Sequence, residues 1–279
     1  MALKKDTPLK LAAIYVIVLL FVVVAVYPIL QVFSISLRPR ATLLSDSLAI
    51  IPDGATWDNY VSLFRDRPFL LWIRNSLFIT AVVMLTGTAL ASTAGYAFSR
   101  YRFPGRSAGL LSLLVTQMFP ATMLLLPLYI MMAKLHLINT FLGLIVIYSS
   151  TALPFCVWQM KGYYDTIPVS LEEAARIDGL GRFGSFYRVI LPLATPALVI
   201  TALFSFMSAW TEYIVAAQVL TYEEMFTLPI GLKSFQSNMS TEWGLYAAGA
   251  LIVSIPAMAL FLALSRYLIG GLTLGGVKG

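Results

Sequence analysis

The chain has 279 residues, of which 59% are apolar and only 11% are charged. Soluble domains are about 45–50% apolar and about 25% charged, so this composition excludes a soluble enzyme, a disordered protein and, with a single cysteine, a disulfide scaffold. The net charge of +6 comes from short basic clusters between apolar runs, which is typical of membrane orientation and not of nucleic-acid binding. We predict a polytopic membrane protein that binds no nucleic acid.

Six windows without a charged residue follow one another along the sequence. They cover residues 11–37, 75–99, 107–133, 137–160, 189–211 and 243–265. A bilayer core of about 30 Å needs about 20 helical residues, so each window can hold one spanning helix. The windows lack the period-two alternation of barrel strands. The sequence therefore predicts an all-α membrane protein with six transmembrane helices.

The distribution of Lys and Arg predicts that both termini are cytoplasmic, because twelve of the 19 cationic residues then fall inside and seven outside. The basic N-terminus resembles a secretory signal, but its apolar run is longer than a signal h-region and no cleavage site follows closely. We interpret it as a retained span. The predicted organisation is a cytoplasmic N-terminus at 1–10, a first transmembrane helix at 11–37, an external loop at 38–73, and a five-helix core at 74–279 that ends in a tail at 267–279.

The polar segment between the fourth and fifth spans carries strong local signals. Pro168 precedes a helix start, Ser170 and Glu173 fit a capping box, and Gly179 suits a left-handed helix stop. These signals predict a short cytoplasmic helix over residues 171–178.

A second short helix is expected over residues 182–189, after which Pro192 and Pro196 redirect the chain into the fifth span. The adjacent residues Ala174 and Ala175 would leave a shallow notch on the first helix that another protein can approach closely. The alternative interpretation is a solvated amphipathic loop that binds no partner.

A spaced motif covers this segment, at Glu173, Ala174, Ala175, Gly179, Val189, Leu191 and Pro192. Its spacing and its position before the penultimate span resemble the EAA motif of ABC importer permeases. The family usually has isoleucine where this chain has Val189, which is a conservative departure.

Two further stretches extend the resemblance over most of the chain. Residues 117–120, Gln-Met-Phe-Pro, and the glycine-rich tail at 270–279 are similar to MalG-like permeases of maltose and maltodextrin importers. The resemblance implies a type I ABC importer permease fold in a bacterial or archaeal cytoplasmic (inner) membrane. It also implies a non-catalytic subunit that forms half of the translocation path for a sugar, such as maltose, maltodextrin or trehalose.

The resemblance further implies an assembly with a second homologous permease subunit, two ATP-binding subunits and an extracytoplasmic sugar-binding protein. A coupling loop at 162–192 would then connect the ATPase to the spans. The coupling residues implied by motif position are Glu173, Ala174, Ala175, Asp178, Gly179, Leu191 and Pro192. The sequence contains no Gly-Lys dipeptide and hence no P-loop, so we expect no ATP site, catalytic residue, metal site or cofactor in this chain.

Four residues are candidates for the translocation path. Glu212 lies about 16 residues into the fifth span, or roughly 24 Å by helical rise, and an ionisable group within a span is a functional candidate. Its alternative role is contact with interfacial water. Gln117, Trp210 and Tyr213 could bind a sugar, whereas packing is the more common role of aromatic residues in spans.

The small residues Gly87, Ala91 and Gly95 recur every four positions and predict close helix packing in the second span. Two other transport or enzyme classes fit the sequence less well. An ion-coupled secondary transporter predicts mid-membrane ionisable groups and often an inverted repeat, and an intramembrane protease needs a convergent nucleophile and base. Within the importer class, the alternative is a permease for another small solute.

Overall fold

The computed structural model describes residues 7–39, 49–236 and 241–274. These residues are mostly helical, and their only β-type pairing is the isolated bridge between Gln236 and Thr241. The chain forms two compact units. One comprises Met1–Pro68 and Leu232–Ser254, and the other comprises Phe69–Gly231 and Ile255–Gly279.

Four helices are long and apolar enough to cross a membrane. They are α1 (Pro8–Ser36), α3 (Phe69–Arg100), α6 (Phe141–Thr166) and α12 (Trp243–Leu274). Two bent pairs also pass this test, namely α4 (Arg106–Gln117) with α5 (Ala121–Lys134), and α8 (Arg182–Leu193) with α9 (Thr195–Trp210). Short helices complete the described part: α2 (Asp58–Arg65), α7 (Ser170–Ile177), α10 (Ile214–Val219), α11 (Leu228–Ser234) and a 3₁₀ turn at Glu223–Met225. Counting each bent pair as one span gives six, which agrees with the sequence prediction.

The third and fifth spans are each a bent pair of helices, and the bend in the fifth span lies where Pro192 and Pro196 were predicted to redirect the chain. The axis turns by 108° between α4 and α5 and by 78° between α8 and α9. Pro120 is extended, with φ −57° and ψ 133°. Its ring nitrogen carries no hydrogen, so it cannot donate the backbone hydrogen bond that would continue α4. Pro192 and Pro196 flank the second break at Ala194. A count of charge-free residues does not detect such breaks.

The larger unit packs around α3, which lies against both α6 and α9. Close approach is possible because small residues face these neighbours, as predicted. A Cβ on Gly95 would lie 2.8 Å from the Cβ of Met160, and one on Gly87 would lie 2.9 Å from Ser205 Oγ. The lone thiol, Cys156, is fully buried in this core.

The smaller unit is tied together by polar contacts at the end of α1. Asn59 Nδ2 on α2 donates to the carbonyl oxygens of Ser36 and Arg38, each at 2.9 Å. The hydroxyls of Ser36 and Tyr60 share a hydrogen bond of 2.8 Å. None of the most apolar window of α1 is buried, which is typical of a helix surrounded by lipid.

Candidate functional site

The short helix predicted over residues 171–178 is present as α7, Ser170–Ile177, within one residue of its expected bounds at each end. Gly179 has a positive φ of +87°, as its position predicts. Its amide donates to the carbonyl of Arg176 at 3.0 Å, and the Leu180 amide donates to Ala175 at 2.9 Å. These two hydrogen bonds satisfy carbonyls at the helix end, so Gly179 terminates α7.

The capping-box prediction was wrong. Ser170 is the first residue of the helix, and α7 has no side-chain cap hydrogen bond. The backbone amides of Glu172 and Glu173 donate instead to the carbonyl of Val169, at 2.9 and 3.1 Å. Because Ser170 already lies inside the first turn, its hydroxyl is misplaced for the box, and the chain after Pro168 supplies backbone acceptors instead.

The two faces of α7 differ in burial. Glu172 is 1% exposed and Ala175 is 5% exposed, whereas Glu173, Ala174 and Ile177 face outward. Ala174 faces outward, whereas Ala175, about 100° further around the helix axis, packs against the rest of the unit. The predicted two-alanine notch is therefore wrong, and Ala174 alone supplies the small outward residue.

Glu172 ties α7 to the end of α3. Its carboxylate forms an ion pair with Arg100, and Tyr96 Oη donates to it at 2.7 Å. Arg100 also donates from Nη2 to the carbonyl oxygen of Ile167 at 2.8 Å, and the Arg176 guanidinium lies 4.0 Å from the same carboxylate. The sequence motif includes Glu173 but not Glu172. The missing information was its buried partner, which lies 72 positions earlier in the chain.

A second polar link joins the same ends of α3 and α6. Ser99 Oγ donates to Asp165 Oδ1 at 2.6 Å, and Lys161 Nζ lies 2.6 Å from Asp165 Oδ2. The side chains of Lys161 and Asp165 are 16% and 42% exposed, so this pair is partly solvated and more exposed than the pair of Arg100 with Glu172.

Exposed apolar side chains occur on α7 and on α8, the helix that contacts it. Ile177 is 86% exposed, Phe183 is 81% exposed and Tyr187 is 57% exposed. A cavity of about 370 Å³ opens between α3 and α8, and Phe183 and Tyr187 line it. In α8, a π-helical segment covers Phe186–Ile190. Exposed apolar side chains of this kind mark contact with another protein or with the membrane.

The remaining motif residues follow α7 directly or lie at the end of α8. Asp178 and Gly179 are exposed directly after α7. Leu191 is half-buried and Pro192 is exposed at the end of α8. The motif residues are therefore exposed or half-buried, except that Ala175 is turned inward.

Glu212 does not lie inside a continuous fifth span as predicted, because α9 ends at Trp210. Its carboxylate accepts hydrogen bonds from the amides of Val215 at 2.8 Å and Ala216 at 3.1 Å. Tyr148 Oη also donates to it at 2.7 Å. Glu212 thus caps the first turn of α10, and the carboxylate suits the positive end of that helix.

The other three path candidates lie in different surroundings. Trp210 is 2% exposed and stacks on Phe206, with ring centroids 5.3 Å apart. Tyr213 packs against the apolar core between α3 and α6. Gln117 is exposed, donates from Nε2 to the Thr151 carbonyl at 3.1 Å, and borders a cavity of about 390 Å³. Gln117 alone among these three has an exposed polar group beside a cavity.

Comparison with known proteins identifies the family. The profile of the family described as "Binding-protein-dependent transport system inner membrane component" matches residues 87–272. The maltose/maltodextrin transport system permease protein MalG of Yersinia pestis is 36% identical, over 99% of this chain and 96% of the relative. The maltodextrin transport system permease protein MdxG of Bacillus subtilis (strain 168) is 35% identical, over 95% of each chain.

A solved structure supports the fold. A chain from a bacterial ABC transporter involved in the import of the acidic polysaccharide alginate superposes with a TM-score of 0.78. The two sequences are 23% identical, and the match covers 96% of this chain and 99% of that one. The resemblance to MalG-like permeases is thereby confirmed, and this chain belongs to the binding-protein-dependent transport system inner membrane component family, the non-catalytic, multi-pass permease subunits of ABC importers.

Proposed function

We propose that this chain forms half of the translocation path of an ATP-driven sugar importer and is coupled to the ATPase through α7. The proposed solute is a maltose- or maltodextrin-like sugar. Both relatives, at 36% and 35% identity over nearly the whole chain, are named for maltodextrin transport, and this supports the solute class.

The proposed assembly contains a second homologous permease subunit, two ATP-binding subunits and an extracytoplasmic sugar-binding protein. The family description, which names dependence on a binding protein, supports the last of these. We place the complex in the cytoplasmic (inner) membrane with both termini of this chain inside. The excess of Lys and Arg in the inner segments supports this orientation.

The outward face of α7 is the observation that carries the coupling role. Ala174 is small and exposed, so a partner surface can approach the helix backbone closely. Glu173 and Asp178 are exposed carboxylates on either side of it, and charged groups at an interface fix the orientation of the partner. Ile177 is 86% exposed in this chain and would give the partner an apolar contact.

Coupling requires that the ATP-bound and ATP-free states of the partner hold α7 differently. Closure of the two ATP-binding subunits would then displace α7 as a rigid body. Because α7 is fixed to α3 by Glu172, the displacement would reach the spans. Rotation of the permease halves would open the path to the opposite side.

The first experiment tests the assembly and the solute. The chain, co-expressed with the proposed partner subunits, is purified in mild detergent and reconstituted in liposomes with labelled maltotriose. We expect uptake only with ATP and the ATP-binding subunits, and a crosslink from an Ala174→Cys variant to an ATP-binding subunit. Uptake by the chain alone in a proton or sodium gradient would instead indicate a secondary transporter. Uptake of another solute class would replace the sugar assignment.

The second experiment tests the coupling segment with a matched glycine pair. Gly179 has φ +87° and Gly181 has φ −71°, and a Cβ would meet nothing within 4 Å at either position. Gly179→Ala therefore introduces backbone strain of about 1–2 kcal/mol, whereas Gly181→Ala introduces none. We expect Gly179→Ala to hydrolyse ATP with much less uptake, and Gly181→Ala to behave as the wild type. Equal uptake by the two variants would contradict the role of the α7 ending.

A further inference from the structure

The stability of the fold does not explain why a charged residue of α7, Glu172, is buried. The side chains of Glu172 and Arg100 are 2% and 8% exposed. Charged residues are rarely buried unless paired, and a buried ion pair holds two elements together no better than a well-packed apolar pair does. An apolar side chain at position 172 could attach α7 to the rest of the unit equally well.

An ion pair of this geometry does fix the orientation of α7 relative to α3. The two carboxylate oxygens of Glu172 accept from different groups, Oε1 from Arg100 Nε and Oε2 from Tyr96 Oη. The planar guanidinium of Arg100 donates at the same time to the Ile167 carbonyl, directly before α7. An arginine side chain held by several hydrogen bonds fixes orientation as well as distance.

The third member of the cluster connects the pair to two further helices. The ring of Tyr96 lies 4.5 Å from that of Phe186 on α8 and 5.7 Å from that of Tyr164 on α6. Tyr96 and Arg100 are one helical turn apart at the end of α3. Four helices, α3, α6, α7 and α8, therefore meet at one group of interlocked side chains.

We propose that Tyr96, Arg100 and Glu172 form a rigid joint that transmits the displacement of α7 to α3. This proposal rests on the proposed coupling function. Glu172 is a positioning residue in this role, because it would act through α3 and not by contact with the solute or with ATP. The joint lies on the helix around which α6 and α9 pack, so its movement would reach the spans directly.

The test uses Glu172→Met, Arg100→Met and the double variant in the reconstituted transporter. Uptake, ATP hydrolysis and the crosslink from Ala174→Cys to the ATP-binding subunit are measured together. Each single variant leaves one buried charge without its partner, which reduces abundance in the membrane. The double variant removes both charges and is expected to regain abundance and the crosslink. We still expect it to move about tenfold less solute per ATP, within the usual range for coupling between sites.

The double variant separates the joint from a purely structural pair. If it regained the wild-type amount of solute per ATP, the proposal would be overturned. Lys161→Met is the matched control, because it removes the partly exposed ion pair with Asp165 on α6 and keeps the contacts of Glu172. The control is expected to show wild-type coupling. Absence of the crosslink in the otherwise unchanged chain would refute docking itself, and so the proposed function.

A milder variant keeps the proposal testable if the double variant is not produced. Tyr96→Phe removes only the hydroxyl that donates to Glu172 at 2.7 Å and keeps the ring contacts. We expect normal abundance and normal crosslinking, with about fivefold less solute moved per ATP, the lower end of typical coupling between sites. Unchanged coupling in Tyr96→Phe would also overturn the proposal.

Discussion

Gly95 is the position where one methyl group should have the clearest effect on the fold. It lies on α3 against α6, and an added Cβ would lie 2.8 Å from Met160 Cβ and 2.9 Å from Lys161 N. Carbon atoms in good contact are about 3.5–4.0 Å apart. Because both neighbours belong to the backbone or lie next to it, no change of rotamer can relieve the clash. The two helices must separate to accept alanine.

The expected change in unfolding free energy follows from two opposing effects of Gly95→Ala. Overpacking costs about 1–3 kcal/mol, and the greater helix propensity of alanine returns about 1 kcal/mol. Gly162→Ala on α6 has only the second effect, because a Cβ there would meet nothing within 4 Å. The difference in unfolding free energy between the two variants therefore isolates the steric cost, about 1–3 kcal/mol.

The lone cysteine provides the assay. Cys156 is fully buried, so a thiol-reactive fluorophore reports its exposure when the purified chain is heated in detergent. We expect the midpoint temperature of thermal unfolding to fall for Gly95→Ala and to stay the same or rise for Gly162→Ala. If Gly95→Ala were as stable as Gly162→Ala, the close approach of α3 and α6 would be refuted.

The same thermal assay tests three other contacts. Glu212→Ala should lose about 0.5–2 kcal/mol with the cap of α10, whereas Glu212→Gln keeps an acceptor and should lose less; equal losses would contradict the capping role. Arg67→Ala should change stability by less than about 1 kcal/mol, since its ion pair with Glu242 is solvated, at 39% and 42% exposure, and a larger loss would contradict this. Trp72→Phe should cost about 1–3 kcal/mol, because Trp72 Nε1 donates to the Glu223 carbonyl at 3.0 Å; an unchanged midpoint would refute that bond.

The fold could be predicted from the sequence where it depends on length and apolarity. The windows at 11–37, 75–99, 137–160 and 243–265 each correspond to one long helix, because the bilayer sets a minimum length that few other structures need. The windows at 107–133 and 189–211 are equally apolar but contain the two breaks. Their bend angles depend on the tertiary packing of each arm, which hydropathy does not contain.

In the coupling segment, too, features set by neighbouring residues could be predicted, whereas features set by tertiary packing could not. The bounds of α7 and the left-handed Gly179 could be predicted, because both depend on a few neighbouring residues. The inward orientation of Ala175 could not, since it depends on which face of α7 meets the rest of the unit. Glu212 was placed within the fifth span, whereas the helix ends at Trp210, and its role as a cap depends on the start of α10, which the apolar pattern does not mark.

Arg100 shows why a count of charged residues predicts the membrane topology but does not locate the functional site. In the count that predicts cytoplasmic termini, Arg100 is equivalent to every other cation near the inner surface. In the structure its side chain is 8% exposed and paired with Glu172, so it is not a freely solvated topological marker. A polar run such as Leu171-Glu172-Glu173-Ala174 offers two carboxylates of equal local quality. The opposing helix alone selects the one that is buried, because only a carboxylate that meets a guanidinium can lose its water at an acceptable cost.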